Sequence, residues 1–328
     1  MKLKKEYFIL AGVMVALILY LFLHKSNRTH YRLPKIPAVS GKQISKLEVA
    51  KAGKTTVLNK NDNTWYIESK AYPADSAKVK NMLNVVEKLT LTALVSESKN
   101  YVRYDLTNDK KINVKAWHGK TLSREFDIGK VAATYQHTFV RLAADPNVYH
   151  ARGDFKQKFD QTVDDLRDKT VLSYTQKDIR EIKLTHDNKT ASISRKKVPV
   201  TADEKKEKKA KTSKEPKTKM VWQDTEGNKV DKTKVSRLLS FFNRLECEKY
   251  INDAKKEDFI NPILSVTLKG EKGYSLSVFA KTEKDGKNNQ AISSENDYPF
   301  LLSNSQVNSI KSIIEKIMEV KRSDILNL

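Results

Sequence analysis

The longest apolar stretch of the chain stands near its start. From Tyr7 to Leu23 no residue is charged, and Gly12 is the one glycine. Wound as a helix at about 1.5 Å per residue it spans roughly 25 Å, the short end of a bilayer crossing. It predicts a transmembrane anchor over residues 7–23, behind a short basic tail, residues 1–6, with Lys2, Lys4 and Lys5. A cleaved signal peptide shares the basic tail and apolar core. However, Phe22-Leu23-His24-Lys25 offers no small-x-small cleavage site, and no cysteine follows to take a lipid. The tail favours a cytoplasmic N-terminus, while Lys25, Arg28, Arg32 and Lys35 on the far flank leave the local count undecided. Long domains translocate largely regardless of charge, so the expectation is a single-pass signal-anchor with the bulk of the chain outside the cytoplasm. In residues 24–40, Pro34 and Pro37 stop the helix and make a short extended neck.

Beyond the neck the pattern repeats itself. The alternating run Ile44–Val49 is echoed by Ile179–Leu184, and Trp65 and Trp222 each close a strand before a turn-rich stretch. Then Val79, Met82, Leu83, Val86 and Leu89 recur, at the same spacing, as Val235, Leu238, Leu239, Phe242 and Leu245. That spacing is the apolar stripe of an amphipathic helix, with Asp75 and Asp231 placed as N-caps. Lys111–Trp117 with Leu122–Ile128, and Leu264–Leu268 with Tyr274–Ala280, read as antiparallel hairpins with one buried face. The first copy closes with Thr138–Leu142, Val148-Tyr149 and a helical pattern through Phe155, Phe159, Val163 and Leu166. The second closes with Phe300-Leu301-Leu302 and a longer helix through Val307, Ile310, Ile314, Ile317 and Met318. The expected fold class is α+β: two tandem units, residues 41–172 and 173–328, each an antiparallel meander with one or two helices on one face.

Charge alters this picture in one place. Residues 196–219 hold ten lysines and four acids with no aromatic residue, and read as a solvated loop inserted between two strands of the second unit. The net charge of +22 is spread over 62 basic and 40 acidic residues. Aromatics do not interleave with the basic run and no recognition motif accompanies it, so no nucleic-acid partner is expected. The single cysteine, Cys247, excludes an intramolecular disulfide.

Several strings imitate chemistry. Gly53-Lys54-Thr55 and Gly119-Lys120-Thr121 resemble the end of a P-loop, but Glu48 and Val114 stand where that loop needs a further glycine. Both read as hairpin turns. His24, His30, His118, His137, His150 and His186 show no metal-ligand spacing. Cys247 lies between Glu246 and Glu248, in what reads as the second central helix, where carboxylates oppose a reactive thiolate. Asp164-Asp165-Leu166-Arg167-Asp168-Lys169 reads as a charged helix end rather than a catalytic acid pair. No catalytic, cofactor-binding or metal residue is assigned, and no enzymatic activity or cofactor is expected.

The repeated pattern resembles a bacterial family described as domain of unknown function 4340. Trp65, Tyr72-Pro73-Ala74-Asp75, Val79, Leu83, Phe126-Asp127-Ile128-Gly129, Val148-Tyr149 and Leu166–Leu172 carry the likeness, across about residues 41–320. It departs at Tyr104-Asp105-Leu106, where the family usually has tyrosine-glycine-leucine, and in the basic insert. The resemblance implies an envelope protein of the bacterial cytoplasmic membrane, encoded beside ABC-2-type transporters, including gliding-motility-associated ones. It transfers no catalytic residue. The expected function is a non-enzymatic accessory protein held in the lipid bilayer by residues 7–23, with an ABC-2-type permease, ATPase and auxiliary subunit as partners. The alternative is a basic module that holds an anionic envelope ligand, a lipid headgroup or a polysaccharide. From the sequence, deleting residues 196–219 should leave the fold intact and change stability by about 1 kcal/mol, as closure entropy varies slowly with loop length; urea unfolding of the deletion variant measures this.

Overall fold

A computed structural model describes residues 5–23, 31–199, 218–281 and 286–318, with backbone alone at 5–8 and 21–23. Helix α1 spans Lys5–Leu23, 19 residues. Its described side chains are exposed, from Ile9 at 69% to Tyr20 at 57%. Among the described residues no helix is long and apolar enough to cross a membrane. The anchor expected over 7–23 is therefore not established by the structure. The chain divides after Leu166 into two compact units.

In the first unit, β1 (Lys46–Lys51), β2 (Lys54–Asn61), β3 (Thr64–Ile67) and β4 (Tyr72–Pro73) precede α2 (Ser76–Lys88). After it come β5 (Leu91–Ser96), β6 (Ile112–His118), β7 (Thr121–Val131), β8 (His137–Leu142) and β9 (Val148–Arg152). They form one sheet in the order β4-β3-β2-β1-β6-β7-β8-β9-β5, antiparallel at every pairing. Alternation sets the faces: Leu47, Leu58, Ile67, Ile112, Val114, Phe126, Ile128 and Val140 point to one side and are buried. Helix α2 is buried through Val79, Met82 and Val86, the stripe read from the sequence. The Asp75 carboxylate accepts from Ala77 N at 2.8 Å and Lys78 N at 3.1 Å, so the helix starts where the cap predicts.

The helix expected through Phe155–Leu166 is instead two single turns, α3 (Lys156–Phe159) and α4 (Val163–Leu166). Thr162 and Asp165 make a reciprocal cap, Thr162 N to Asp165 Oδ2 at 3.1 Å and Asp165 N to Thr162 Oγ1 at 3.2 Å. That box starts a new helix and so divides the old one. Phe155, Phe159 and Leu166 are buried all the same, because both turns lie on the core.

The second unit begins with β10 (Thr170–Leu172), β11 (Glu181–His186), β12 (Lys189–Pro199), β13 (Thr218–Asp224), β14 (Lys229–Val230) and α5 (Lys232–Phe242). β15 (Leu245–Glu246), β16 (Lys249–Tyr250), β17 (Leu264–Lys269), β18 (Gly273–Val278), β19 (Asn288–Ser293), β20 (Phe300–Ser303) and α6 (Asn304–Met318) follow. Its main sheet runs β14-β13-β12-β11-β17-β18-β19-β20-β16, the order of the first sheet element for element. The tandem α+β repeat is thus present in the fold. Val235, Leu238, Leu239 and Phe242 bury α5, and Val307, Ile310, Ile313, Ile314 and Ile317 bury α6. The basic stretch is shorter than expected. Lys196 pairs with Val221 and Pro199 with Thr218, so residues 196–199 and 218–219 are strand. Pairing along a continuing hairpin holds these lysines in the ladder; residues 200–217 lie outside the described ones. A deletion confined to 200–217 spares both strands.

The unit boundary also moves, from 172 to 166. β10 pairs with β15, and Val171 and Leu172 belong to the second core. Aligning Ile44–Val49 with Ile179–Leu184 sets β10 and its flank opposite residues 32–37, the neck. Pro34 and Pro37 have no N–H to give a ladder, so no strand forms there. Leu33, Pro34, Ile36 and Val39 are nonetheless half-buried. The buried Arg124 guanidinium, on β7, donates both to Pro37 O and to Val86 O in the last turn of α2. In the second unit the Tyr174 hydroxyl donates to Leu239 O, in the last turn of α5, at 2.7 Å. Each copy thus ties its lead-in segment to the orphan carbonyls at the end of its central helix, with a cation in one and a phenol in the other. The neck is a docked lead-in of the first unit rather than a free spacer. Arg124→Met should cost about 3 kcal/mol, two charge-assisted bonds less the regained apolar packing, and Tyr174→Phe about 1 kcal/mol. Chemical denaturation of each variant measures this.

Candidate binding surface

The strings that imitate chemistry are structural. Gly53 and Gly119 have φ of +77° and +57° and sit in the β1–β2 and β6–β7 turns, where a left-handed residue lets two strands reverse tightly. His24 and His30 lie outside the described residues. His137 and His150 come together on neighbouring strands, rings stacked at 5.2 Å, which chain spacing could not show. Burial first, and His137 second, hold the His150 imidazole below its usual pKa. His186 is buried, Nδ1 3.3 Å from Ile263 O and Nε2 3.4 Å from Glu315. Among the described residues no three His, Cys, Asp or Glu side chains gather to hold a metal.

Cys247 is not helical: α5 ends at Phe242, and the cysteine lies buried between β15 and β16. Burial pushes its thiol up to about 11, partly opposed by Lys169, so desolvation and not the flanking carboxylates makes it inert. The charged run 164–169 is likewise absorbed by local structure. Asp165 caps α4, Asp168 Oδ1 accepts from Thr170 N at 2.9 Å, and Arg167 stacks 3.8 Å over the Tyr250 ring.

What remains is the face of each sheet turned away from its core, and here the two copies differ. In the first, β1 supplies Lys46, between Asn59 and Trp117, and Glu48, between Val57 and Lys115. Lys46 Nζ lies 2.6 Å from Glu48 Oε1 and 5.6 Å from the Trp117 ring centre, and Lys115 lies 3.5 Å from Glu125. Next to them the buried Asp127 carboxylate takes Arg141 Nε at 3.0 Å, Asn113 Nδ2 at 2.9 Å and Lys111 Nζ at 3.3 Å. Arg141 in turn stacks 4.5 Å over Tyr101. This face satisfies its own charges.

The corresponding positions of the second sheet hold Glu181, between Ser194 and Lys269, and Lys183, between Ser192 and Thr267. Three of the six are small hydroxyl residues, and the face dips into a pocket of about 180 Å³ bounded by the Asp224–Thr225 turn. Glu181, Lys183 and Lys269 have no side-chain partner among the described residues. A dip lined by Ser192, Ser194 and Thr267, with Lys183 and Lys269 as cations and Glu181 and Asp224 as acids at its edge, can bind a small polar ligand. It offers no nucleophile–base pair. Sequence reasoning missed it because its six residues come from three strands.

The family matched is Domain of unknown function (DUF4340), over residues 65–262, more than half of the chain. The chain belongs to this family. No curated protein and no solved structure matches it. The matched region is narrower than the 41–320 of the expected likeness and crosses the boundary between the units. The residues that carry the likeness in the sequence are structural: Trp65, Tyr72, Phe126, Ile128, Val148, Tyr149, Leu166, Val171 and Leu172 are all buried. Gly129 is required because a Cβ there would collide with the carbonyl of Tyr104. The family pattern therefore marks a fold. For Cys247, a pKa moved from 9.0 to about 11 leaves about a hundredfold less thiolate at pH 8. Iodoacetamide should label the native protein at least that much more slowly than the urea-unfolded one, followed by mass spectrometry.

Proposed function

We propose that this protein is a membrane-anchored, non-enzymatic accessory protein of the bacterial envelope, associated with an ABC-2-type exporter and carrying its two units outside the cytoplasm. The observation that carries the reading is α1, whose described side chains, residues 9–20, are apolar and exposed on every side. A helix that is apolar all round needs either a protein core or a lipid phase. The docked neck supports the reading too, since only residues 24–30 of the chain separate it from α1. The transporter association rests on the resemblance and on the paired, interaction-sized units. A second reading, a module that binds an anionic envelope ligand, is favoured by the unpartnered Lys183 and Lys269 beside the pocket.

Carbonate washing should leave the chain in the membrane pellet, and alkaline phosphatase fused after Leu328 should be active, because that enzyme matures only in an oxidising compartment. Release by carbonate would remove the anchor. An inactive fusion together with an active cytoplasmic reporter at the same junction would reverse the orientation. Crosslinking in native membranes should recover a permease and an ATPase; recovery of no transporter component would end the exporter assignment.

A further inference from the structure

The second unit's outer face differs from its counterpart in a way that points to a ligand. In the first unit, Trp117 and Val57 fill the positions flanking Lys46 and Glu48, and those two close on each other at 2.6 Å. In the second, the equivalent positions carry Lys269 and Ser192, and the central Glu181 and Lys183 are open. A repeat that closes this grid in one copy and opens it in the other has separated a structural face from an accepting one.

We infer that the grid Ser192, Ser194, Glu181, Lys183, Thr267 and Lys269 is a subsite for one acidic sugar ring of an envelope polysaccharide. The inference rests on the second reading above and gives it a place and a ligand. Lys183 and Lys269 are diagonal neighbours on adjacent antiparallel strands, a spacing of about 7–8 Å, so both ammonium groups can converge on one carboxylate. The short side chains of Ser192, Ser194 and Thr267 make the dip and offer donors and acceptors to ring hydroxyls. Glu181 accepts from a hydroxyl and repels a second negative charge, which selects a singly charged ring over a polyphosphate. A volume of about 180 Å³ falls below the roughly 300–1,000 Å³ of sites for larger ligands and suits a single ring. Beyond the pocket the hydroxyl track continues, Thr185 opposite Ser265 and Ser265 opposite Ser277, as an extended polyol chain would require. Among the described residues outside α1 the exposed large apolar side chains are Val102, Leu122, Tyr135, Met220 and Ile260, and none lines the pocket. A face docking on a bilayer would present such groups, so the soluble polymer is favoured over a lipid surface.

The test titrates the full chain, in a non-ionic detergent without a sugar headgroup, with a trimer of galacturonic acid and with the neutral galactose trimer. Saturable binding of the acidic trimer is expected, weakened about fivefold to tenfold by Lys183→Ala and by Lys269→Ala. Lys115→Ala, at the position of Thr267 in the first unit, should leave it unchanged. Affinity should also fall as salt rises from low to physiological. Binding that ignores both lysine substitutions overturns the subsite while leaving an anionic-ligand module standing. Equal binding of the neutral trimer overturns the requirement for charge, and with it the proposal. Binding to phosphatidylglycerol vesicles and not to the trimer assigns the ligand to lipid and overturns the sugar. No saturable binding to any of these probes ends both the subsite and the second reading.

Discussion

A single amphipathic helix seated on the inner face of a nine-stranded antiparallel sheet is the contact on which each unit depends. A sheet of that width exposes one apolar face along its whole extent, and burying it supplies most of the driving force for folding. Helix α2 meets it through Val79, Met82 and Val86, and α5 through Val235, Leu238, Leu239 and Phe242. At roughly 1.5–3 kcal/mol for each large side chain removed from water, these few residues outweigh any surface ion pair in the molecule. The other elements complete that contact. Phe155, Phe159 and Leu166 close it in the first unit and α6 closes it in the second.

Because the inner face is fixed by packing, the outer face is free to differ between the copies. Side chains on a strand alternate, so residues such as Glu48 and Lys183 can change without disturbing the core beneath them. The first copy has used that freedom to tie charges together, with Asp127 buried among Arg141, Lys111 and Asn113. The second has left charges open around a dip. One face can therefore differ between the two copies while the scaffold stays unchanged. That freedom also explains why a family pattern made of core residues identifies the fold and says nothing about the ligand.

The lead-in segments show the same economy. Both must lie across the end of the central helix, where carbonyls lack partners. Arg124 meets that need from the sheet and Tyr174 meets it from the lead-in itself. The need is set by the fold; the residue that answers it is not. In the first unit the tie reaches Pro37, so the lead-in segment and the core share one buried guanidinium.

The sequence by itself determined whatever depends on local periodicity. The stripes of α2, α5 and α6, the caps at Asp75 and Asp231, the two long hairpins and the repeat were all legible, because a helix period of 3.6 and a strand period of 2 are written directly in residue spacing. Asp231 illustrates this, its carboxylate held below the usual range by the N–H of Thr233, two residues on. Tertiary structure alone decided what depends on pairing between distant segments. The strand β10 belongs with β15 because of partners more than seventy residues away, the lysines of 196–199 are strand because Thr218–Val221 lie beside them, and Cys247 is buried by neighbours from other segments. His137 with His150, and the six positions of the open grid, meet only across strands. Register assembles these groups, and register is fixed by the whole apolar face, so no local stretch of sequence carries it.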